Sequence, residues 1–357
     1  MNIENVIFLG AGASASEGAP LQGDLFKEYF LSYQKKTGSS VYHEMDRELA
    51  TFFDSFYGID VDYDKLENCS FPTFEEVIGI LELALSRGES FKDYGLGYNS
   101  PRIQQIREHL ILLIALILDE KLKGENKYHS KLVNRLSQNV DIIKTCFISL
   151  NYDILIDNAL LNLYPDYDLD YGVNFTNFDR SDVWIKPKRN QSVFLLKLHG
   201  SLNWLYCPTC ISLTLTPKDK KIIKLKWQPQ ECVCPNCHSL SIPIVIPPTF
   251  FKVMSNFYLQ EIWRQSEIAL KQSKRIFFCG YSFPDADIHV KYLLKRVEVN
   301  RDSTPKVFII NQHHGKSADQ ANSERLRYER FFRNRQLVHY TNLSFEDFSK
   351  TDINSIQ

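Results

Sequence analysis

The chain has 357 residues, 44% of them hydrophobic and 24% charged, with a net charge of −1. That length and balance fit one large globular core with insertions, or two coupled domains, and exclude wholesale disorder. A nearly neutral chain is not built to coat a polyanion, so direct nucleic-acid binding is not expected.

The N-terminus opens without a basic region and runs straight into Asn5 to Leu9, a short apolar segment ending at Gly10. It reads as a buried parallel strand followed by a tight turn, not as a leader, and a cytoplasmic chain is expected. Gly10-Ala11-Gly12-Ala13-Ser14 then allows close approach of backbone to a pyrophosphate, with a helix N-terminus behind it. It is not a complete G-x-G-x-x-G, because Ala15 stands three residues after Gly12, and no Gly-Lys-Ser/Thr follows. A helix is expected from Ser14 to about Gln34.

Residues 40–140 read as a helical insertion. Thr73 and Glu76 have capping-box spacing, and apolar residues from Ile103 to Leu118 recur at helical intervals. The longest apolar run, Leu110 to Leu118, is about half of what a bilayer span requires. Strand signals return at Asp141–Leu150, Ser192–Leu198, Arg275–Cys279 and Lys306–Ile310. Each run stops at a polar residue or glycine, as when a parallel sheet offers ligand-binding groups at its carboxyl ends.

Three of those ends carry candidate chemistry. Asn151-Tyr152-Asp153 presents an amide and a carboxylate two residues apart, able to face one cleft or to cap the helix that begins near Ile154. His199-Gly200 places an imidazole suited to general-base work beyond a buried strand. Gly280 and Ser282 could contact a phosphate or ribose, or form a plain loop. Between them, Cys207-x-x-Cys210 and Cys234-x-x-Cys237 are separated by 23 residues, the pattern of a closed, structural Zn2+ site in a small ribbon over 204–241. Cys232 and His238 are competing ligands. Lys218, Lys220, Lys221, Lys224 and Lys226, and Arg325, Arg327, Arg330, Arg333 and Arg335, read as solvated basic faces.

Taken in order, GAGAS, NYD, HG, the two cysteine pairs, GYS and Asn311 resemble the sirtuin family, and look nearest to the sirtuin-like NAD hydrolases of bacterial anti-phage systems. The resemblance runs from Val6 to about Asn311. It implies an α/β fold with a Rossmann-like parallel sheet, helices on both faces, a helical insertion and a zinc-ribbon module. The core would span 1–345, with a C-terminal tail at 346–357. It implies NAD as substrate, with Gly10, Ala11, Gly12, Ala13, Ser14, Pro20, Gly280, Ser282 and Asn311 binding it and Asn151, Asp153 and His199 acting at the nicotinamide–ribose bond. Asn151 would hold the inner ribose or order water, and Asp153 would accept from the carboxamide. The implied activity is NAD hydrolysis in anti-phage defence, by a homo-oligomer that works beside a HerA-type hexameric ATPase. The alternatives are an NAD-dependent protein-lysine deacylase and a non-catalytic NAD-sensing or DNA-associated subunit. Gly18-Ala19-Pro20-Leu21-Gln22-Gly23 departs from the deacylase pattern Gly-Ile-Pro-Asp-Phe-Arg, whereas the cysteine pairs match the deacylase module.

Overall fold

The computed structural model describes residues 2–34, 42–61, 66, 68–94, 103–138, 141–176, 187, 191–216, 228–245, 256–285, 287–311 and 316–356. The chain divides into two compact units, one of Met1–Ala19, Gly124–Ile246 and Val253–Gln357, the other built mainly from Pro20–Lys123.

The first unit is organised on β1 (Asn5–Leu9), β2 (Thr145–Ser149), β3 (Asp168–Asp170), β4 (Ser192–Lys197), β8 (Arg275–Cys279), β9 (Lys306–Ile310) and β10 (Val338–Thr341). They form one sheet in the order β10-β9-β8-β1-β2-β4-β3. Every neighbouring pair is parallel. β1 lies at the centre, with all five residues buried, as a continuous apolar strand covered on both faces must be. On one side of β1 the chain lays down β2, then β3 at the edge and β4 between them, and it then crosses to build β8, β9 and β10 outward on the other. The reversal falls between β1 and β8, and a crevice at that switch point is where open parallel sheets bind ligands.

A second, antiparallel sheet is made of β5 (Gly200–Tyr206), β6 (Leu213–Leu215) and β7 (Ile242–Val245), ordered β6-β5-β7. Trp204 of β5 is fully buried against Tyr171 and Phe175, with ring centroids 5.6 and 5.8 Å away. Among the described residues, the unit's α-helices are α1 (Ala11–Ala15), α6 (Tyr128–Gln138), α7 (Leu155–Leu161), α8 (Phe257–Gln272), α9 (Ile288–Val299), α10 (Ala318–Phe331) and α11 (Phe345–Phe348).

The second unit holds α2 (Leu25–Gln34), α3 (Tyr42–Tyr57), α4 (Phe74–Arg87) and α5 (Ile103–Lys121). The capping box opens α4: Thr73 Oγ1 accepts from the Glu76 N–H at 3.2 Å, and Glu76 accepts from the Thr73 N–H at 2.7 Å. Leu110–Leu118 is buried throughout as part of α5. Among the described residues, no helix is long and apolar enough to cross a membrane.

Three sequence expectations are corrected. The helix expected over Ser14–Gln34 is broken: α1 ends at Ala15, Gly18 turns the chain at φ 100°, and α2 begins only at Leu25. Asp141–Lys144 is a 3-10 turn, so β2 starts at Thr145. Residues 346–357, set apart above as a tail, place Phe348 and Ile353 in the core, where Arg275 donates to the Ile353 carbonyl at 2.8 Å.

Candidate functional site

The carboxyl ends of β1 and β8 are joined backbone to backbone. Gly10 N–H donates to the Cys279 carbonyl at 2.9 Å, and Gly12 N–H to the Gly280 carbonyl at 2.8 Å. A Cβ on Gly10 would sit 2.6 Å from the Gly280 carbonyl oxygen, and one on Gly280 would sit 2.1 Å from the Ala13 nitrogen. Gly280 also adopts φ +63°, a region that costs L-residues energy. Gly280 thus supplies the freedom to turn, and both glycines leave room for the facing loop.

β2 delivers its polar residues to the same place. The Asn151 amide donates to the Gly10 carbonyl and to Ser14 Oγ, both at 2.8 Å. Ser14 in turn donates to Asp153 Oδ2 at 2.6 Å, and Asp153 Oδ1 accepts from the Leu155 N–H at 3.0 Å. Asp153 thus binds the first helical N–H of α7 with one oxygen and the glycine loop with the other. Asp153 is buried, with both oxygens engaged, so in this state it anchors the loop. Asn151 is half-buried, and its Oδ1 accepts no hydrogen bond from the described residues.

His199 follows β4. It is 2% exposed, and its ring centroid lies 6.3 Å from that of Tyr152. Gly200 after it has φ +79°, and a Cβ there would meet the Ile244 carbonyl oxygen at 2.1 Å, so glycine is needed where β5 turns away against β7. β2 and β4 are adjacent, with Ser149 paired to Lys197, which brings the Asn151–Asp153 turn and the imidazole to neighbouring strand ends.

Beneath this turn lies a buried ion pair. Lys197 Nζ donates to Asp157 Oδ2 at 2.9 Å and to the Asp153 carbonyl, with both charged side chains fully buried. Asp157 Oδ1 accepts from the Tyr171 hydroxyl at 2.8 Å.

After the glycine loop, the buried Glu17 carboxylate accepts from the N–H groups of Lys127, Tyr128 and His129 at the start of α6, and lies 3.3 Å from His129 Nδ1. Burial opposes its ionisation, but the hydrogen bonds from the His129 side chain and the two backbone N–H groups win, and its pKa falls below the usual carboxylate value.

Of the other expected contact residues, Ser282 is exposed and Asn311 is buried. The Asn311 amide donates to the Tyr281 carbonyl and to Glu324, while its Oδ1 is buried with no partner among the described residues. Lys316 completes that corner by donating to Glu324. Pro20 opens the other unit.

The four cysteines form one cluster: the thiol sulfurs of Cys207, Cys210, Cys234 and Cys237 all lie within 4.8 Å of one another. The two knuckles repeat the same turn. Ile211 N–H donates to the Cys207 carbonyl and His238 N–H to the Cys234 carbonyl, and both residues take positive φ, at 59° and 61°. Burial raises the Cys234 pKa, but the Ser212 hydroxyl and the N–H groups of Cys237 and Asn236 outweigh it and bring the thiol down to about 6. Four sulfurs at this spacing, with a ready thiolate among them, suit a tetrahedral ion. Cys232 and His238 stay outside the cluster. The basic run Lys218–Lys226 lies outside the described residues, and Arg325 pairs with Glu329 at 2.6 Å.

The sequence reading passes over Glu17, Lys197 and Glu324. Only Lys197 carries a clear signal, because a lysine inside the apolar run Ser192–Leu198 requires a buried acidic partner.

A Rossmann-like parallel sheet, a glycine turn at its switch point and a four-cysteine module on an antiparallel appendage define the class of protein. A profile of the SIR2-like domain family matches residues 145–337, and the chain belongs to that family. No curated protein matches it. Among solved structures, it is similar to a Sir2–p53 peptide–NAD+ complex at 14% identity and a TM-score of 0.44, covering 97% of this chain and 90% of that one. A Sir2 complex with the inhibitor EX-527, 2'-O-acetyl-ADP-ribose and deacetylated p53 peptide gives 15% identity, 97% and 91% coverage and a TM-score of 0.38. A third, described as the structural basis for the mechanism and regulation of Sir2 enzymes, gives 13% identity, 97% and 89% coverage and a TM-score of 0.42.

Proposed function

We propose that this chain binds NAD at the carboxyl ends of β1, β2, β4 and β8 and hydrolyses the nicotinamide–ribose bond to nicotinamide and ADP-ribose. The observation that carries the reading is the cluster of Asn151, Ser14, Asp153 and the Gly10 carbonyl, which fixes an amide beside a glycine turn at the sheet's switch point. Departure of nicotinamide builds positive charge on the ribose, so the site must orient the sugar and deliver a nucleophile to its anomeric carbon. Asn151 Oδ1 holds the ribose or the attacking water. Asp153 keeps the glycine loop in register with Asn151 and takes the carboxamide when that group arrives. His199 serves as general base, which requires that its buried ring become reachable as substrate enters. Gly10 to Ser14, Gly280, Ser282 and Asn311 complete the dinucleotide site.

Cys207, Cys210, Cys234 and Cys237 hold a structural Zn2+, which fixes the module's two knuckles. Free NAD hydrolysis would exhaust a host, so the resting rate is low. Assembly into a homo-oligomer, or a partner such as a HerA-type ATPase, restrains the enzyme until an anti-phage role calls on it. A second reading, NAD-dependent lysine deacylation, draws support from the cysteine cluster.

Incubation of purified protein with NAD, with and without an acyl-lysine peptide, separates the two. The expected result is nicotinamide release without peptide, lost in Asn151→Ala and His199→Ala variants that keep their melting temperature. Release only with peptide, accompanied by acyl-ADP-ribose, replaces the first reading with the second. A His199 ring that resists diethylpyrocarbonate both with and without NAD would remove it from the reaction.

A further inference from the structure

We infer that Lys197 is a positioning residue, holding the Asn151–Asp153 turn in register with His199; the inference rests on the site assignment made above. The turn has polar backbone groups that the parallel sheet does not pair. β5 supplies one donor, with Leu202 N–H bonding to the Tyr152 carbonyl at 3.0 Å. The Asp153 carbonyl instead takes its hydrogen bond from the Lys197 ammonium. That ammonium comes from β4, two residues before His199, so one side chain ties the strand bearing the imidazole to the turn bearing Asn151 and Asp153.

The arrangement is costly for a purely structural bond. Lys197 and Asp157 are both fully buried, and a buried ion pair is often no more stabilising than apolar residues of the same volume. What the pair provides is direction. Asp157, on the first turn of α7, is itself fixed by the Tyr171 hydroxyl, so the ammonium has one position and one remaining acceptor to meet. Asp153 is thereby held at three points: Lys197 on its carbonyl, Leu155 N–H on Oδ1 and Ser14 on Oδ2.

The test separates charge compensation from positioning. Lys197→Met alone strands the Asp157 carboxylate and is expected to lower the melting temperature. The double variant Lys197→Met/Asp157→Asn removes both charges, nearly keeps the volume and leaves Tyr171 an acceptor, and is expected to recover most of the melting temperature. It cannot restore a donor to the Asp153 carbonyl. We therefore expect its kcat for NAD to stay about 10- to 100-fold below wild type, with KM nearly unchanged, since small misplacements of a reacting group cost rates of that order. Hydrogen exchange measured without NAD should be faster at the amides of 151–155 in the double variant, and to a smaller extent in Tyr171→Phe, which removes one hydrogen bond and no charge. Wild-type exchange in Tyr171→Phe, or wild-type kcat in the double variant, overturns the inference. Wild-type protein that turns over no NAD would instead overturn the assignment it rests on, while the exchange comparison still decides what Lys197 does.

Discussion

Glu17 shows how one side chain can set where a loop goes. Its carboxylate replaces the capping residue that α6 lacks, because the first N–H groups of a helix need acceptors and favour a negative charge. Its lowered pKa fixes the sign of a pH effect. The stability it contributes is complete above the unfolded carboxylate pKa and is lost as pH falls through the lower folded value. Glu17→Gln should therefore cost about 2 kcal/mol at pH 7, the scale of hydrogen bonds to a charged acceptor. Melting curves from pH 7 to pH 3 should show the gap to wild type closing toward the acid end. A constant gap across that range would show that Glu17 is not ionised in the folded protein.

At the scale of elements, the two glycine turns form a single part. Gly280→Ala must force its Cβ against the Ala13 nitrogen and adopt a left-handed backbone, so it acts on the loop after β1 although it belongs to β8. Weaker NAD binding is expected together with a drop in melting temperature of several degrees, the scale of about 2 kcal/mol in a chain of this size. Calorimetric NAD affinity equal to wild type would show that the seam does not shape the site. The cysteine knuckles make a contrasting prediction. Cys234→Ser, or prolonged chelation, should remove one equivalent of zinc by atomic absorption and lower the melting temperature, because a structural metal contributes directly to folding. Protein purified with no zinc and an unchanged melting temperature would contradict a structural ion.

Much of this was readable along the chain. Asn5–Leu9, Arg275–Cys279 and Lys306–Ile310 match their strands residue for residue, because each runs apolar and buried from its second residue and ends sharply at glycine or asparagine. The cysteine spacing identified the cluster, since sulfur geometry leaves few alternatives. β3 was not legible, because Asp-Leu-Asp has too few apolar residues to announce a strand; its place comes from pairing with β4. The remote cap on α6 was equally hidden, as Glu17 and Tyr128 meet only when the sheet brings them together. At the site, the residue types were readable but their engagements were not. Asp153 ties the start of α7 to the glycine loop, and His199 is buried, which no spacing rule reveals.

At the scale of the whole molecule, the place of β1 has a consequence for synthesis. β1 leaves the ribosome before either of its neighbours, with partners that begin at Thr145 and Arg275. The turn after it cannot take its final shape until Gly280 has been translated and docked, and Asn311 arrives later still. Contacts of such long sequence separation form late and slowly. A nascent chain therefore carries every candidate reactive side chain through Asn151 and His199 long before it owns a working pocket. Under the proposed NAD hydrolysis, the order of translation would itself be a safeguard, because the unfinished chain cannot assemble the site.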